Sequence, residues 1–411
     1  MGSPRAYAAV TGAYWGFTLT DGALRMLVLL HFHALGYTPL QIAFLFLLYE
    51  FFGMATNLLG GWVGSRRGLK PTLLAGLGLQ IFALAMLSFL SPDWAVWLSI
   101  PYVLVSQGLS GIAKDLTKLS AKSSVKLVAP DGGGSVLFRL VALLTGSKNA
   151  LKGLGFFLGG ALLAGIGFAP ALWAMAAALA AILLLAARAL PADLGRLKDR
   201  SGPASLFAKS REINLLSGAR VFLFGSRDVW FAVGLPIFLY DGLGWSFTEV
   251  GGFLAAWVIG YGMVQAAAPA VLGKAARARR TEIRAARLWV ALLATLPFAI
   301  AGALLAGLDP AASVIVGLGV FGAAFAVNSA LHSYLILAFA DSEKVAMDVG
   351  FYYMANAGGR LLGTLLSGAA YQIWGLEGCL LAAGLMLVAA WGLTAALAGP
   401  AVRNPLGRSP G

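Results

Sequence analysis

The sequence predicts an all-α membrane protein: twelve transmembrane helices in two pseudo-symmetric six-helix bundles, with both termini cytoplasmic. Three observations predict it: an apolar composition, a strict alternation in the charge of the connections, and a repeat at one offset. Of 411 residues, 59% are hydrophobic and only 11% charged. An ordinary soluble domain is about 25% charged, so a water-exposed surface could not be covered and the solvent must be mostly lipid.

A bilayer core of ~30 Å takes about 20 helical residues, and on that ruler the chain divides into twelve spans. The first, 8 to 33, carries Asp21 and Arg25 and runs on to His31. It has no convincing cleavage site and is expected to stay in the mature protein. ALGYT leads to the second, 40 to 64, and SRRGLK to the third, 71 to 90. SPDW leads to the fourth, 94 to 118, and a lysine-rich stretch from Lys114 to Lys126 to the fifth, 137 to 166. GFA separates that span from the sixth, 169 to 187, and RALPADLGRLKDRSGPASLFAKSR precedes the seventh, 213 to 240. DGLGW leads to the eighth, 247 to 273, KAARARRTEIRAAR to the ninth, 287 to 306, and GLDP to the tenth, 311 to 338. The eleventh, 349 to 373, and the twelfth, 377 to 398, flank WGLEG, and a tail with Arg403 and Arg408 follows.

Every second connection is basic, whereas ALGYT, SPDW, GFA, DGLGW, GLDP and WGLEG contain no Lys or Arg. Under the positive-inside rule the basic side is cytoplasmic. The same asymmetry accounts for most of the +13 net charge, from 30 basic and 17 acidic residues, without any nucleic-acid partner. The longest polar connection divides the chain into an N-terminal bundle, 1–187, a cytoplasmic central loop, 188–212, and a C-terminal bundle with a short cytoplasmic tail, 213–411.

An offset of 208 residues sets LGYTPLQI (35 to 42) on LGWSFTEV (243 to 250), each opening the second span of its half. It also sets Lys152, Gly155 and Gly160 on Arg360, Gly363 and Gly368. One offset serving two regions implies duplication. Parallel six-span repeats of this kind resemble the major facilitator transporters, whose substrate sits near the midplane between halves that rock. GGWVGSRRGLK is similar to that superfamily's loop signature, matching at Gly61, Arg66, Gly68 and Lys70. Ser65 stands at the usual aspartate position, which alters the charge relay expected of a cytoplasmic gating loop. Glycine is abundant, at 53 residues, and spacings such as Gly155 to Gly159 permit close helix contact.

Placed at ~1.5 Å per residue from the span ends, Asp21, Arg25, Glu50, Lys148, Lys152, Arg227, Asp228 and Arg360 converge near mid-depth, with Arg220 closer to the cytoplasm. Lys114, Lys118 and Lys122 continue span four at spacings of four, as one stripe. Each such charge costs ~2.5 to 3.5 kcal/mol on a lipid-facing helix, so the set is expected to face a wet cavity. Lys148 and Lys152 share a helix face. Around the cavity Arg25, Lys114, Lys118, Lys148, Lys152, Arg220, Arg227 and Arg360 stand against Asp21, Glu50, Asp115 and Asp228. The cationic excess predicts a polyanionic small-molecule cargo, with Arg suited to bidentate oxyanions and Lys acting as a point charge. The bland alternative is structural ion pairing, open for Asp21 with Arg25 and for Asp115 with Lys118 or Lys114. No acid within four residues neutralises Lys148, Lys152 or Arg360. Lys122 and Lys126 read more readily as a headgroup-facing edge.

Tyr14, Trp15, Tyr49, Tyr352 and Tyr353 are candidates to reach the cavity, while most other Trp and Tyr suit interfacial belts. His31, His33 and His332 read as structural groups, and Cys379 as packing, with no disulfide or metal cluster. No Walker loop, HExxH or nucleophile elbow is present, so no cofactor, ATP drive or enzymatic activity is expected. A membrane-embedded enzyme lacks a base or metal site, and a sensor lacks room for an output module.

Three stretches, residues 10 to 51, 106 to 126 and 144 to 160, resemble bacterial organoarsenical efflux permeases, over nearly the whole chain. The resemblance implies export of 1-arseno-3-phosphoglycerate across the bacterial inner membrane, with a glyceraldehyde-3-phosphate dehydrogenase as the partner that makes it, and arsenate resistance as the result. A molecule with two anionic ends calls for two cationic clusters. Lys114, Lys118, Lys148 and Lys152 are expected at one end, Arg220, Arg227 and Arg360 at the other, and Arg25 at the seam. Asp21, Glu50 and Asp228 are the acids available for proton coupling or charge balance. An organophosphate/phosphate exchanger, or another organic-anion exporter of the same superfamily, is the alternative. The molecule is expected to act as a monomer.

Overall fold

A computed structural model describes residues 4–56, 69–124, 134–191, 210–272, 279–339 and 345–397. The first half comprises α1 (Pro4–Ala34), α2 (Pro39–Thr56, with a turn at Phe46), α3 (Leu69–Ser88), α4 (Val96–Ser124), α5 (Gly134–Ile166) and α6 (Phe168–Ala189). The second comprises α7 (Arg211–Gly242), α8 (Phe247–Leu272), α9 (Arg279–Leu305) and α10 (Pro310–Phe339). It closes with α11 (345–373) and α12 (376–395), a helix pair broken at Trp374 and Gly375. The described residues form no strand, and the chain is a multi-pass membrane protein with helices long and apolar enough to cross a bilayer. Large apolar side chains such as Phe82, Leu185, Met263, Leu288 and Val316 face outward, where lipid is the solvent. Most of the central loop, 192–209, the tail, 398–411, and the gating-loop residues Gly61, Arg66 and Gly68 lie outside the described residues.

The offset of 208 has a physical basis. LGYTPLQI and LGWSFTEV are helix-start devices. Thr38 caps α2 by accepting from Gln41 N at 3.3 Å, while Thr38 N donates to Gln41 Oε1 at 2.9 Å. Ser246 and Glu249 repeat this capping box at α8, at 3.3 and 2.8 Å. Gly36 and Gly244, which precede the two boxes, both hold positive φ, 85° and 70°. The same register links Gly167 (φ 79°) and Gly375 (φ 64°), which start the last helix of each half.

Glycines also set the closest helix seams. A Cβ on Gly155 would stand 3.0 Å from Gly22 Cα of α1, and a Cβ on Gly363 would stand 3.0 Å from Gly225 Cα of α7. At the outer ends a Cβ on Gly160 would collide with the Phe247 backbone of α8. One on Gly368 would come within 2.6 Å of the Pro39 carbonyl of α2. α5 therefore packs on α8, and α11 on α2, with backbones almost touching. These two seams join the halves.

α7 departs from the single straight span expected over 213 to 240. Pro236 has no N–H and clashes with the carbonyl one turn earlier, and the helix opens at Ala232 and Val233. The freed N–H groups of Val233 and Gly234 donate to Ser367 Oγ at 3.1 and 3.0 Å. A π-turn, Phe238–Gly242, completes the span.

Candidate functional site

The mid-depth charges form one alternating chain across both halves. Arg25 Nη1 of α1 donates to Glu50 Oε1 of α2 at 3.0 Å. Arg360 Nη2 of α11 donates to the same oxygen at 2.6 Å, and Arg360 Nε donates to Asp228 Oδ2 of α7 at 3.3 Å. Arg227 closes the chain on Asp228 Oδ1 through Nε at 2.7 Å. Glu50 and Asp228 are buried, yet Arg360 and Arg227 keep 19% and 16% side-chain exposure. The two side chains are thus partly accessible, while the acids they hold are not.

A second layer rests on Tyr49, which is buried between the chain and α4. Its hydroxyl donates to both Asp21 oxygens, at 2.7 and 2.9 Å, and its ring carries Lys114 Nζ at 3.8 Å from the centroid. Lys152 of α5 lies over Phe156, 5.6 Å from its centroid, within electrostatic reach of Arg360, Arg25, Asp21 and Lys148. Towards the cytoplasm, Lys118 donates to Asp115 at 3.3 Å, and Thr56 donates to the other Asp115 oxygen.

The sequence-derived candidates thus fall into three places. Arg25, Glu50, Arg227, Asp228 and Arg360 are directly linked, with Lys114, Asp21, Lys152 and Lys148 around them. Lys118 sits lower on α4. Arg220 stands apart: its Nε donates to Asn356 Oδ1 at 3.0 Å and its Nη1 to Ser329 at 3.4 Å. The cross-helix partners can be set beside the local pairs that sequence spacing left open. Asp21 faces Tyr49 while Arg25 turns to Glu50, so the four-residue pair is not the one used. Arg360, which has no acid nearby in sequence, is held by two acids from other helices. Lys70, the one described member of the gating-loop motif, donates to the carbonyls of Ala187 and Leu190 at 2.9 and 2.5 Å, which caps the C-terminus of α6.

Neutral polar residues, which carry no formal charge to mark them in the sequence, complete this part of the site. Asn356, Ser329 and Gln265 surround Arg220, and Gln265 Nε2 donates to Ser329 Oγ at 3.2 Å. An amide inside an apolar span was the available signal. Of the aromatic candidates, Tyr49 and Tyr352 hold cations, whereas Trp15 reaches Ser147 at 2.9 Å. His33 pairs across the halves with Asp241 at 2.8 Å, and these two are themselves 208 residues apart. Cys379 is buried beside Gly234 and the Ser367 carbonyl, in a packing role.

No protein-family model matches the sequence, and no curated relative does. Solved structures do match in shape. The nucleoside transporter NupG (D323A mutant) superposes with a TM-score of 0.75 at 15% identity, covering 96% of this chain and 100% of that one. A bacterial homologue of the iron transporter ferroportin, in an inward-facing state, gives 0.70 at 15%, covering 96% and 99%. The human organic anion transporter MFSD10 gives 0.62 at 18%, covering 96% and 100%. At these identities the likeness establishes the fold, and the fold is that of the major facilitator proteins.

Proposed function

We propose that the chain is a transporter that works by alternating access and exports an organoarsenical anion, 1-arseno-3-phosphoglycerate, by secondary or facilitated efflux. On this reading it resides in the bacterial inner membrane and confers arsenate resistance together with the glyceraldehyde-3-phosphate dehydrogenase that makes its cargo. The observation that carries the polyanion reading is the mid-depth charge set. After Glu50 and Asp228 are shared among Arg25, Arg227 and Arg360, and Asp21 is held by Tyr49, Lys114 and Lys152 still add positive charge beside them. The substrate identity rests on the resemblance in residues 10 to 51, 106 to 126 and 144 to 160.

The geometry suggests how cargo and protein motion are joined. Arg360 ties α11 of one half to α2 of the other through Glu50. An incoming oxyanion that takes donors from Arg360 and Arg25 competes with Glu50, so binding loosens the tie between the halves it must pass. In a cell negative inside, outward movement of an anion gains ~2.3 kcal/mol per charge per 100 mV. Facilitated export is therefore downhill electrically.

The test is arsenate tolerance in sensitive cells carrying this chain with and without the partner dehydrogenase. Protection is expected only with both. Protection by the chain alone would point to a different cargo, such as that of an organophosphate/phosphate exchanger or another organic-anion exporter.

A further inference from the structure

Arg220 is 4% exposed, two helical turns cytoplasmic of Arg227 on the same face of α7. Arg25, Arg227 and Arg360 each have a carboxylate; Arg220 makes no ion pair among the described residues. Its Nε and Nη1 go to the neutral oxygens of Asn356 and Ser329, and Nη2 donates to no described protein group. The guanidinium lies over two rings, 3.8 Å from the Phe224 centroid and 4.9 Å from that of Tyr352.

A second observation points to the same place. His332 lies three residues along α10 from Ser329, is fully buried, and has no described partner for either ring nitrogen, within electrostatic reach of Arg220. A buried guanidinium without a counter-charge is costly, and its partners among the described residues are polar groups that carry no acid. The group that would balance this charge is an anion.

We propose that Arg220, with Asn356, Ser329, Gln265 and His332, seats a tetrahedral oxyanion, a phosphate or arsenate group. The planar fork of Arg suits such a group. The ion is either free in solution or the terminus of an organic ester. The seat deepens the export reading, and rests on it only for the claim that the oxyanion belongs to cargo. Asn356 lies one turn from Arg360 on the same face of α11, so an ion held by Arg220 sits one step cytoplasmic of the charge chain.

The experiment uses the purified full chain in detergent micelles, with melting temperature read against inorganic phosphate, glycerol 3-phosphate, and chloride at matched ionic strength. Phosphate or its ester is expected to raise the melting temperature above the chloride control. Arg220→Gln, which removes the uncompensated charge, is expected to melt at or above the wild type without anion and to lose the response. Asn356→Asp, which supplies a built-in carboxylate, is expected to do the same, and it decides alone should Arg220→Gln fail to fold. A response to the ester alone assigns the seat to a cargo terminus; a response to both probes extends it to the free ion. No response in the wild type, or a response intact in the two variants, overturns the seat. The assay reads binding without transport, so its outcome is separate from that of the arsenate-tolerance test.

Discussion

Arg360 of α11 meets Glu50 of α2 at 2.6 Å across 310 residues of sequence. This contact turns two isolated intramembrane charges into the buried tie between the halves. Because Glu50 is 1% exposed and also holds Arg25, its removal leaves two guanidinium groups facing each other.

Glu50→Gln is therefore expected to destabilise the protein more than Arg360→Gln, by ~3–5 kcal/mol for loss of one partner of a buried pair. Arg360→Gln leaves Glu50 with Arg25. Melting curves of the two variants and of the double variant check this. Equal melting temperatures for the single variants would show that Glu50 is not the shared partner.

Lys152→Gln and Arg360→Gln are each expected to abolish export while leaving normal amounts of protein in the membrane. Flux into inverted vesicles, normalised to immunoblots, measures both. Full activity in both variants would sink the two-cluster site.

Tyr49→Phe removes the hydroxyl that donates to both Asp21 oxygens but keeps the ring beneath Lys114. A buried carboxylate left unsatisfied costs ~1–3 kcal/mol, so the melting temperature falls while cargo affinity changes less than in Lys152→Gln. An unchanged melting temperature would place Asp21 in water.

The outer seam is expected to depend on Gly368 and to depend little on His33. A Gly368→Val side chain cannot fit against the Pro39 carbonyl, so the outer ends of α2 and α11 must part. A cysteine introduced at Leu40 then reacts faster with an impermeant thiol reagent. Asp241→Asn breaks a pair in which Asp241 is 53% exposed, worth ~0–1 kcal/mol, and leaves that reactivity within about twofold. The reverse ranking would falsify the glycine seam as the closure.

Glu50 and Asp228 are each held by two guanidinium groups, an arrangement that ties helices together rather than one that frees a carboxylate to carry protons. With substrate-loaded vesicles at clamped voltage, an imposed pH gradient is expected to leave flux unchanged. A flux that follows the gradient gives these acids, or Asp21, a proton-carrying role.

Much of the fold was legible because lipid imposes a long apolar run and loops announce their side by charge. The repeat was legible where geometry restricts residue type. Capping boxes need Thr or Ser with Gln or Glu three positions on, and Gly36, Gly244, Gly167 and Gly375 adopt backbone angles that exclude most side chains. The mid-depth charges were legible individually, since nothing else explains Arg360 in a lipid span. Their partners were not, because pairing across 310 residues depends on how helices are laid side by side. The break in α7 was also hidden: Pro236 signals one, but the Ser367 hydroxyl that accepts the freed N–H groups arrives from α11. Arg220's setting was invisible for a different reason, since its neighbours carry no charge to notice.

The α1–α5 and α7–α11 seams put Gly22 and Gly225 in matching places, so Arg25 and Asp228, each three residues further on, occupy the same address in the two halves. The halves therefore carry opposite charges at one address, with Arg25 donating to Glu50 in the first and Asp228 accepting from Arg360 in the second. The tie between them is asymmetric even though the glycine seams that position it repeat.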